Sequence, residues 1–148
     1  MSVLPWPVAD ADTQDYWDAI AERRFLIQRC RSCRRYQYYP RSVCTACTST
    51  DLELVASQGR GTIYSYTVSR RAAHPDMAER VPYVVALIDL AEGPRMLANL
   101  VGVDPENVTI GADVAVTFLQ AAEGILLPAF EIVASQPAQN SNQEETDV

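Results

Sequence analysis

The chain has 148 residues, enough for one core domain with a small appendage and too few for two full domains. Its apolar fraction of 48% and charged fraction of 21% are those of an ordinary globular protein. The formal net charge of −7 argues against non-specific binding to nucleic acid or to an anionic membrane. The longest unbroken apolar run, YVVALI at residues 83–88, is far shorter than a membrane span.

The N-terminal residues indicate the cellular compartment of the protein. Residues 1–14 contain no basic region followed by an apolar run, so we expect no signal peptide and a cytoplasmic protein. In that compartment the four cysteines would be reduced thiols that are free to bind a metal.

Residues 1–24 predict an extended arm followed by a helix. Residues 1–12 are rich in proline and alanine and show no periodicity. Asp12 or Thr13 could cap a helix that runs to about Arg23. One side of that helix would carry Tyr16, Trp17, Ile20 and Arg24.

Residues 25–54 predict a rubredoxin-like zinc ribbon. A short apolar strand at residues 25–27 leads into two C-x-x-C pairs that are separated by ten residues. Two such pairs form two knuckles, each of which offers two thiolates to one tetrahedral ion. The predicted ligands are Cys30, Cys33, Cys44 and Cys47.

Four thiolates fill the coordination sphere of zinc, so the predicted metal is structural and has no open position for water or substrate. Iron in the same site would make the protein an electron carrier, which is the alternative for this motif. Knuckles often place glycine directly after the second cysteine, where the backbone turns left-handed. Here those positions hold Arg34 and Thr48.

Residues 55–133 show a period-two pattern that predicts a mainly β domain. Strands are expected at residues 62–68, 82–90, 96–101, 114–119 and 126–132. A helical turn at 104–108 would have Asp104 as its cap and Pro105 in first position. Five strands with one short helical interruption favour a five-stranded OB-fold barrel, with a sandwich as the alternative. Residues 134–148 are polar and acidic, which predicts a disordered tail.

The sequence offers no catalytic set, so we expect the chain not to be an enzyme by itself. His74 is the one histidine, and it stands in a polar loop. The metal uses every cysteine, and Ser65 and Ser69 have no second histidine to activate them. The carboxylates are dispersed at turns rather than paired for acid–base work.

The arginine- and tyrosine-rich stretch predicts a binding surface for a partner protein or for the phosphates of coenzyme A. Residues 23–50 hold seven arginines and no acid. The candidate residues are Arg34, Arg35, Tyr36, Tyr38, Tyr39 and Arg41, with Arg70 and Arg71 added from the barrel. Alternatively, the arginines are merely exposed and the tyrosines pack the ribbon onto the barrel.

A single-stranded nucleic acid is a further candidate ligand for this stretch, because arginines could meet phosphates and tyrosines could stack on bases. OB-folds bind such strands across their second and third strands. Here those strands contribute only Tyr83 and Arg95, which is a poor stacking platform.

Several segments occur in a specific order over roughly residues 11–133. They are Tyr16-Trp17, FLIQRC at 25–30, the two cysteine pairs, STDLE at 49–53, GRGTIYSYT at 59–67, PYVVAL at 82–87 and NLVG at 99–102. In these segments the chain resembles the zinc-ribbon/OB-fold proteins associated with acyl-CoA enzymes, a domain of unknown function. The departures from that pattern are Arg34 and Thr48.

The resemblance implies a non-catalytic accessory subunit in a hetero-oligomer. Its partner would be a thiolase-superfamily enzyme (a thiolase, an aldolase of sterol side-chain breakdown or a hydroxymethylglutaryl-CoA synthase) or a hot-dog-fold acyl-CoA hydratase. Cys30, Cys33, Cys44 and Cys47 would hold structural zinc, and a coenzyme A thioester would be bound through the complex. The rivals are a nucleic-acid-binding module and a free-standing enzyme acting on acyl-CoA.

Overall fold

The computed structural model of the protein describes residues 5–134. It contains one helix, α1 (Gln14–Ala21), and eight strands. The strands are β1 (Leu26–Cys30), β2 (Tyr36–Gln37), β3 (Leu52–Ala56), β4 (Arg60–Ser69), β5 (Tyr83–Leu90), β6 (Arg95–Leu100), β7 (Asp113–Ala122) and β8 (Ile125–Ile132). The disorder predicted for the acidic tail concerns residues that, apart from Ala134, lie outside this range. No helix within it is long and apolar enough to cross a membrane.

The helix is shorter than predicted at its C-terminal end. It stops at Ala21, and Arg23 adopts a left-handed conformation with φ of 59°. The N–H of Arg23 donates to the carbonyl of Ile20, and the N–H of Arg24 donates to that of Ala19. This left-handed turn reverses the chain into β1, so Arg24 is exposed beside Glu22 and does not extend the buried side of the helix.

At its other end the helix is held by Asp10 rather than by a side-chain cap at Thr13. Thr13 occupies the N-cap position but makes no capping bond to the first turn. The Asp10 carboxylate instead accepts from the N–H of Thr13 at 3.0 Å and from its hydroxyl at 2.9 Å. The arm therefore fixes the start of α1.

The ribbon (residues 25–54) is built on a small antiparallel sheet in the order β2-β1-β3. Gln28 pairs with Gln37 on one side of β1, and Leu26 pairs with Ala56 on the other. The sequence pattern did not reveal β2 or β3. β2 has only two residues, and the period-two pattern that begins at Leu52 is too short in β3 to mark a separate strand.

Strands β4 to β8 form a closed barrel in the order β4-β5-β6-β8-β7. β4, β5 and β6 follow one another as antiparallel neighbours, and β7 pairs back to β4 through Arg60 and Ala115. β8 closes the barrel beside β6 in a parallel contact of Leu100 with Phe130. This connectivity is the predicted OB-fold and excludes the sandwich.

The barrel interior forms the main core. Inward-facing side chains of β5 alternate with half-buried ones, so Val84, Ala86, Ile88 and Leu90 are buried. The outer face of β5, which carries Tyr83, Val85 and Leu87, is half-buried in this closed barrel. Phe130 from β8 completes the core and meets the ring of Phe25 edge-on, with centroids 6.2 Å apart. That contact joins the barrel to the ribbon.

The predicted helical turn is confirmed as a 3₁₀ turn at Pro105–Asn107. The carboxylate of Asp104 accepts from the N–H of Glu106 at 3.0 Å, and Pro105 occupies an early position of the turn. This short turn spans the connection from β6 to β7.

Candidate metal centre and ribbon surface

Both cysteine pairs lie in knuckles with the same backbone geometry. In each, the N–H of the first cysteine donates to the carbonyl five residues later, and the N–H four residues later donates back to its carbonyl. The bonds are Cys30 to Arg35 (2.9 Å), Arg34 to Cys30 (2.8 Å), Cys44 to Ser49 (2.8 Å) and Thr48 to Cys44 (3.0 Å). We call residues 30–35 the first knuckle and residues 44–49 the second knuckle.

The fourth residue after each first cysteine is left-handed, as the sequence pattern predicts. Arg34 has φ of 65° and Thr48 has φ of 63°. A side chain in this conformation crowds the following carbonyl, at a cost of roughly 1–2 kcal/mol. Glycine would avoid that cost, so the two knuckles are closed with strained residues where glycine is more favourable.

The four sulfur atoms lie close together. The ligand atoms of Cys30, Cys33, Cys44 and Cys47 all lie within 4.8 Å of one another. Two of the Sγ–Sγ separations, Cys30 to Cys47 and Cys33 to Cys44, are 3.6 Å. A tetrahedral zinc ion with Zn–S bonds of about 2.3 Å requires sulfur separations of about 3.8 Å. The donor set therefore fits zinc.

The electrostatics of the set also favour a cation. The backbone N–H of Cys33 lowers the pKa of Cys30 to about 6, and that of Cys47 lowers the pKa of Cys44. The N–H of Ser49 acts in the same direction on Cys47, but the neighbouring sulfurs, that of Cys30 above all, together with partial desolvation raise its pKa to about 11. The lowered pKa values favour the thiolate form of Cys30 and Cys44. Four thiolates this close together repel one another unless a cation is bound between them.

The arginines of the ribbon fall into two groups: those that contact an acidic or aromatic side chain, and those that are exposed and form no ion pair in the described chain. Arg31 is engaged, because it contacts Asp51 at 3.0 Å and Glu53 at 3.2 Å and so ties the end of β1 to β3. The guanidinium of Arg29 lies over the ring of Tyr36, 5.6 Å from its centroid. In contrast, Arg34, Arg35 and Arg41 are exposed and form no ion pair within residues 5–134.

The two arginines predicted from the barrel follow β4. Arg70 pairs with Glu106 at 2.7 Å, so its charge is partly satisfied within the molecule. Arg71 is exposed and has no ion-pair partner in the described part of the chain. Their position after β4 makes them part of the barrel rather than of the knuckles.

Tyr38 and Tyr39 pack against helix α1. The hydroxyl groups of Tyr38 and Tyr16 are 3.0 Å apart, and Trp17 Nε1 donates to the hydroxyl of Tyr39 at 2.7 Å. Burial raises the pKa of both Tyr16 and Tyr38, and the ring of Tyr16 meets those of Tyr38 and Tyr39 edge-on. These tyrosines therefore join the ribbon to the helix, and the exposed arginines are the open part of the predicted surface.

Two buried glutamines, Gln28 and Gln37, were missed by the sequence analysis. Each is 7% exposed, and their side chains bond to each other and to the loop around Cys44. Gln28 stands two residues before the first cysteine on an apolar strand, which is the one sequence signal that could have found it.

His74, the remaining candidate for a catalytic role, caps a local turn. Its Nδ1 accepts from the N–H of Asp76 at 3.2 Å and caps the 3₁₀ turn Pro75–Met77. The side chain is exposed. This capping bond accounts for a histidine directly before Pro75.

The geometry thus defines a four-cysteine zinc ribbon joined to an OB-fold barrel, and comparisons with known proteins give the same two parts. Residues 17–53 match the family described as "ChsH2, rubredoxin-like zinc ribbon domain", and residues 54–119 match "ChsH2, C-terminal OB-fold domain". A "DUF35 domain-containing scaffold protein" of Methanocaldococcus jannaschii is 36% identical over 109 residues, which are 72% of this chain and 77% of that protein. The chain belongs to the DUF35 family of ChsH2-type zinc-ribbon/OB-fold proteins.

Other relatives carry enzyme names. A "Probable enoyl-CoA hydratase alpha subunit" of Thermomonospora curvata is 38% identical over 91% of this chain, which spans 42% of that protein. A "3-oxo-4,17-pregnadiene-20-carboxyl-CoA hydratase alpha subunit" of Mycobacterium tuberculosis is 34% identical over 76% of this chain and is covered over 35% of its length. A solved chain of the "Ltp2-ChsH2(DUF35) aldolase" is 37% identical with a TM-score of 0.76, and the match covers 85% of this chain and 98% of that one.

Proposed function

We propose that the chain is a non-catalytic subunit that docks on a thiolase-like acyl-CoA enzyme and supports it. The observation that carries the proposal is the likeness to a chain of the Ltp2-ChsH2(DUF35) aldolase, which is matched over 98% of its length at 37% identity. The archaeal relative named as a scaffold protein supports the same kind of role.

The chemistry of the ribbon supports a non-catalytic part. Zinc held by Cys30, Cys33, Cys44 and Cys47 has no open coordination position, so it cannot polarise a carbonyl or activate water. Its contribution is to hold a segment that has little apolar core of its own. Within residues 5–134 the single histidine is used to cap a turn.

The proposed docking surface is helix α1 with the exposed arginines Arg34, Arg35 and Arg41 of the ribbon. Arginine is among the residue types that anchor protein interfaces, and a guanidinium without an internal partner can form bidentate bonds to a carboxylate of the partner. The same guanidinium groups, together with Arg71, suit the phosphates of a coenzyme A thioester held between the two subunits.

A hydratase partner is the second candidate, because two relatives are named as hydratase alpha subunits. We favour the thiolase-like partner, since this chain spans less than half of each hydratase relative and nearly all of the aldolase-complex chain. The likeness to the hydratase relatives is therefore a likeness to one part of a longer protein.

A pull-down of the tagged chain from lysate of its source organism tests the proposal. We expect a thiolase-like enzyme at near-stoichiometric amount, with a coenzyme A thioester retained by the complex. Recovery of a hydratase instead would select the second candidate, and recovery of neither would contradict the proposal. Turnover of an acyl-CoA by the purified chain alone would contradict the non-catalytic role.

A charge reversal then tests the docking surface. Arg35→Glu and Arg41→Glu should each weaken the complex at least about tenfold, because a like charge would face the partner's carboxylates. Arg60→Glu is the matched control, since Arg60 is also exposed and forms no ion pair in the described chain, but lies on the barrel. Equal binding by all three variants would exclude the ribbon as the docking surface.

A further inference from the structure

Two glutamine side chains are buried between β1 and the second knuckle. Gln28 and Gln37 are opposite each other in the β1–β2 pair, and Gln37 Nε2 donates to Gln28 Oε1. Apart from Thr13, they are the only buried polar residues within residues 5–134. An amide buried in this way is costly unless its hydrogen bonds are satisfied, so the partners of these amides are informative.

The remaining hydrogen bonds of the two amides hold the loop of residues 41–45, on both sides of Cys44. Gln28 binds both backbone groups of one loop residue, and Gln37 binds backbone groups of two others. The bonds are Arg41 N to Gln28 Oε1 (3.0 Å), Gln28 Nε2 to Arg41 O (2.8 Å), Thr45 N to Gln37 Oε1 (3.0 Å), Thr45 Oγ1 to Gln37 Oε1 (3.2 Å) and Gln37 Nε2 to Val43 O (3.3 Å). We call the two side chains the glutamine clamp.

The two knuckles differ in how the backbone supports them. The first knuckle continues directly from β1, whose ladders with β2 and β3 fix the position of Cys30. The second knuckle lies in the segment between β2 and β3, where residues 38–51 form no strand. The clamp therefore supplies for Cys44 the support that a strand ladder supplies for Cys30.

We infer that Gln28 and Gln37 are positioning residues for the metal centre, which hold the second knuckle at binding distance before the ion arrives. The remaining hydrogen bonds of the clamp go to residues 41–45 and not to a sulfur atom, so the clamp acts through the backbone of that loop. Because the loop is ordered on folding, zinc binding does not have to meet that entropic cost, and the affinity of the site rises. This inference concerns the chain alone and does not depend on the partner enzyme.

Zinc affinity, measured by competition with a chromophoric chelator, is the first test. Gln28→Met and Gln37→Met keep the side-chain volume and remove the hydrogen bonds, and we expect each to bind zinc about 10- to 100-fold more weakly. Ser42→Ala is the matched control, because Ser42 lies in the same loop, is exposed and has no side-chain hydrogen bond within the described part of the chain. The control should bind zinc as the unaltered protein does.

Amide hydrogen exchange in the zinc-free protein is the second test, and it needs no variant. The N–H groups of Arg41 and Thr45, which donate to the clamp, should exchange more slowly than in an unstructured peptide even without zinc. Cobalt(II) in place of zinc adds a readout of geometry, since its visible spectrum reports a tetrahedral thiolate site and should change in Gln37→Met.

Exchange of both amides at unstructured-peptide rates in the zinc-free protein would overturn the inference. So would unaltered zinc affinity in both methionine variants. If Gln37→Met fails to fold, the exchange measurement on the unaltered protein still decides the question.

Discussion

The ribbon and the barrel are stabilised in different ways, although they follow each other in one short chain. The barrel encloses a continuous apolar core in which β5 alone contributes Val84, Ala86, Ile88 and Leu90. In the ribbon, the buried positions include two metal ligands, Cys30 and Cys44, and the two amides of the glutamine clamp. The barrel thus depends on burial of apolar area, and the ribbon depends on a metal and on hydrogen bonds.

The difference explains why exposed arginines are concentrated in the ribbon. Because the metal replaces a hydrophobic core, the outer positions of the knuckles need no apolar cover and can carry arginines. The aromatic cluster of Tyr16, Trp17, Tyr38 and Tyr39 then fastens the ribbon to α1, and the edge contact of Phe25 with Phe130 fastens it to the barrel.

Removal of zinc should produce the largest effect and should separate the two regions. Structural zinc contributes on the order of 10 kcal/mol in zinc-finger peptides, so chelation or Cys47→Ser should abolish most of the hydrogen-exchange protection of the two knuckles, including the N–H groups of Arg34 and Thr48. Strands β4–β8 should keep theirs, because their core contains no metal ligand. The residual protection expected at Arg41 and Thr45 would then come from the clamp. Simultaneous unfolding of both regions would contradict the separation.

Phe130→Ala should give the next largest effect, and it should act on the barrel first. Phe130 is completely buried, and truncation of such a ring costs about 3–5 kcal/mol through lost burial and the cavity left behind. The measurement is the free energy of unfolding of the barrel in urea. Leu97→Ala is the control, since Leu97 is on the same barrel but 63% exposed, and its truncation should cost less than about 0.5 kcal/mol.

The sequence was sufficient for features that are encoded locally. The spacing of the cysteines predicts the knuckles, and the period-two pattern predicts the five barrel strands, because both depend on residues a few positions apart. The cap of the 3₁₀ turn is similarly local, since Asp104 binds the N–H of Glu106.

The features that the sequence did not predict depend on contacts between distant parts of the chain. Tyr38 was predicted to lie on a binding surface, and its half-buried side chain also packs against Tyr16 of α1, 22 residues earlier in the chain. Gln28 and Gln37 look like surface residues until the loop of residues 41–45 folds over them. The left-handed turn at Arg23 ends α1 where the helical pattern continues, and no single residue type announces it.

The hydroxyl groups that link the ribbon to the helix should have a smaller effect. Tyr39→Phe leaves the half-buried Nε1 of Trp17 without its acceptor, so we expect a loss of about 1 kcal/mol in unfolding free energy. Tyr36→Phe is the control, because the Tyr36 hydroxyl makes no hydrogen bond in the described part of the protein. Thermal unfolding of the zinc-loaded proteins measures both, and an equal effect of the two changes would mean that the Trp17–Tyr39 bond does not fasten the ribbon.

Glycine in the left-handed positions of the knuckles should give the smallest change, and the only gain. Arg34→Gly and Thr48→Gly should each give a net gain of about 0.5 kcal/mol, because the strain relieved is partly offset by the backbone freedom that glycine loses on folding. The larger benefit should be at Thr48, because a branched side chain tolerates this conformation least. The gain should appear as slower zinc release from the ribbon, whereas barrel stability should not change.

Arg35→Gly is the control for this prediction. Arg35 directly follows Arg34, and its backbone is not left-handed, so there is no such strain for glycine to relieve. It should be neutral or slightly destabilising, because glycine loses more backbone freedom on folding. If Arg34→Gly and Arg35→Gly behave alike, the knuckle strain is not limiting for the metal site. If only Arg34→Gly and Thr48→Gly slow zinc release, the chain carries non-glycine residues there at a cost in metal retention.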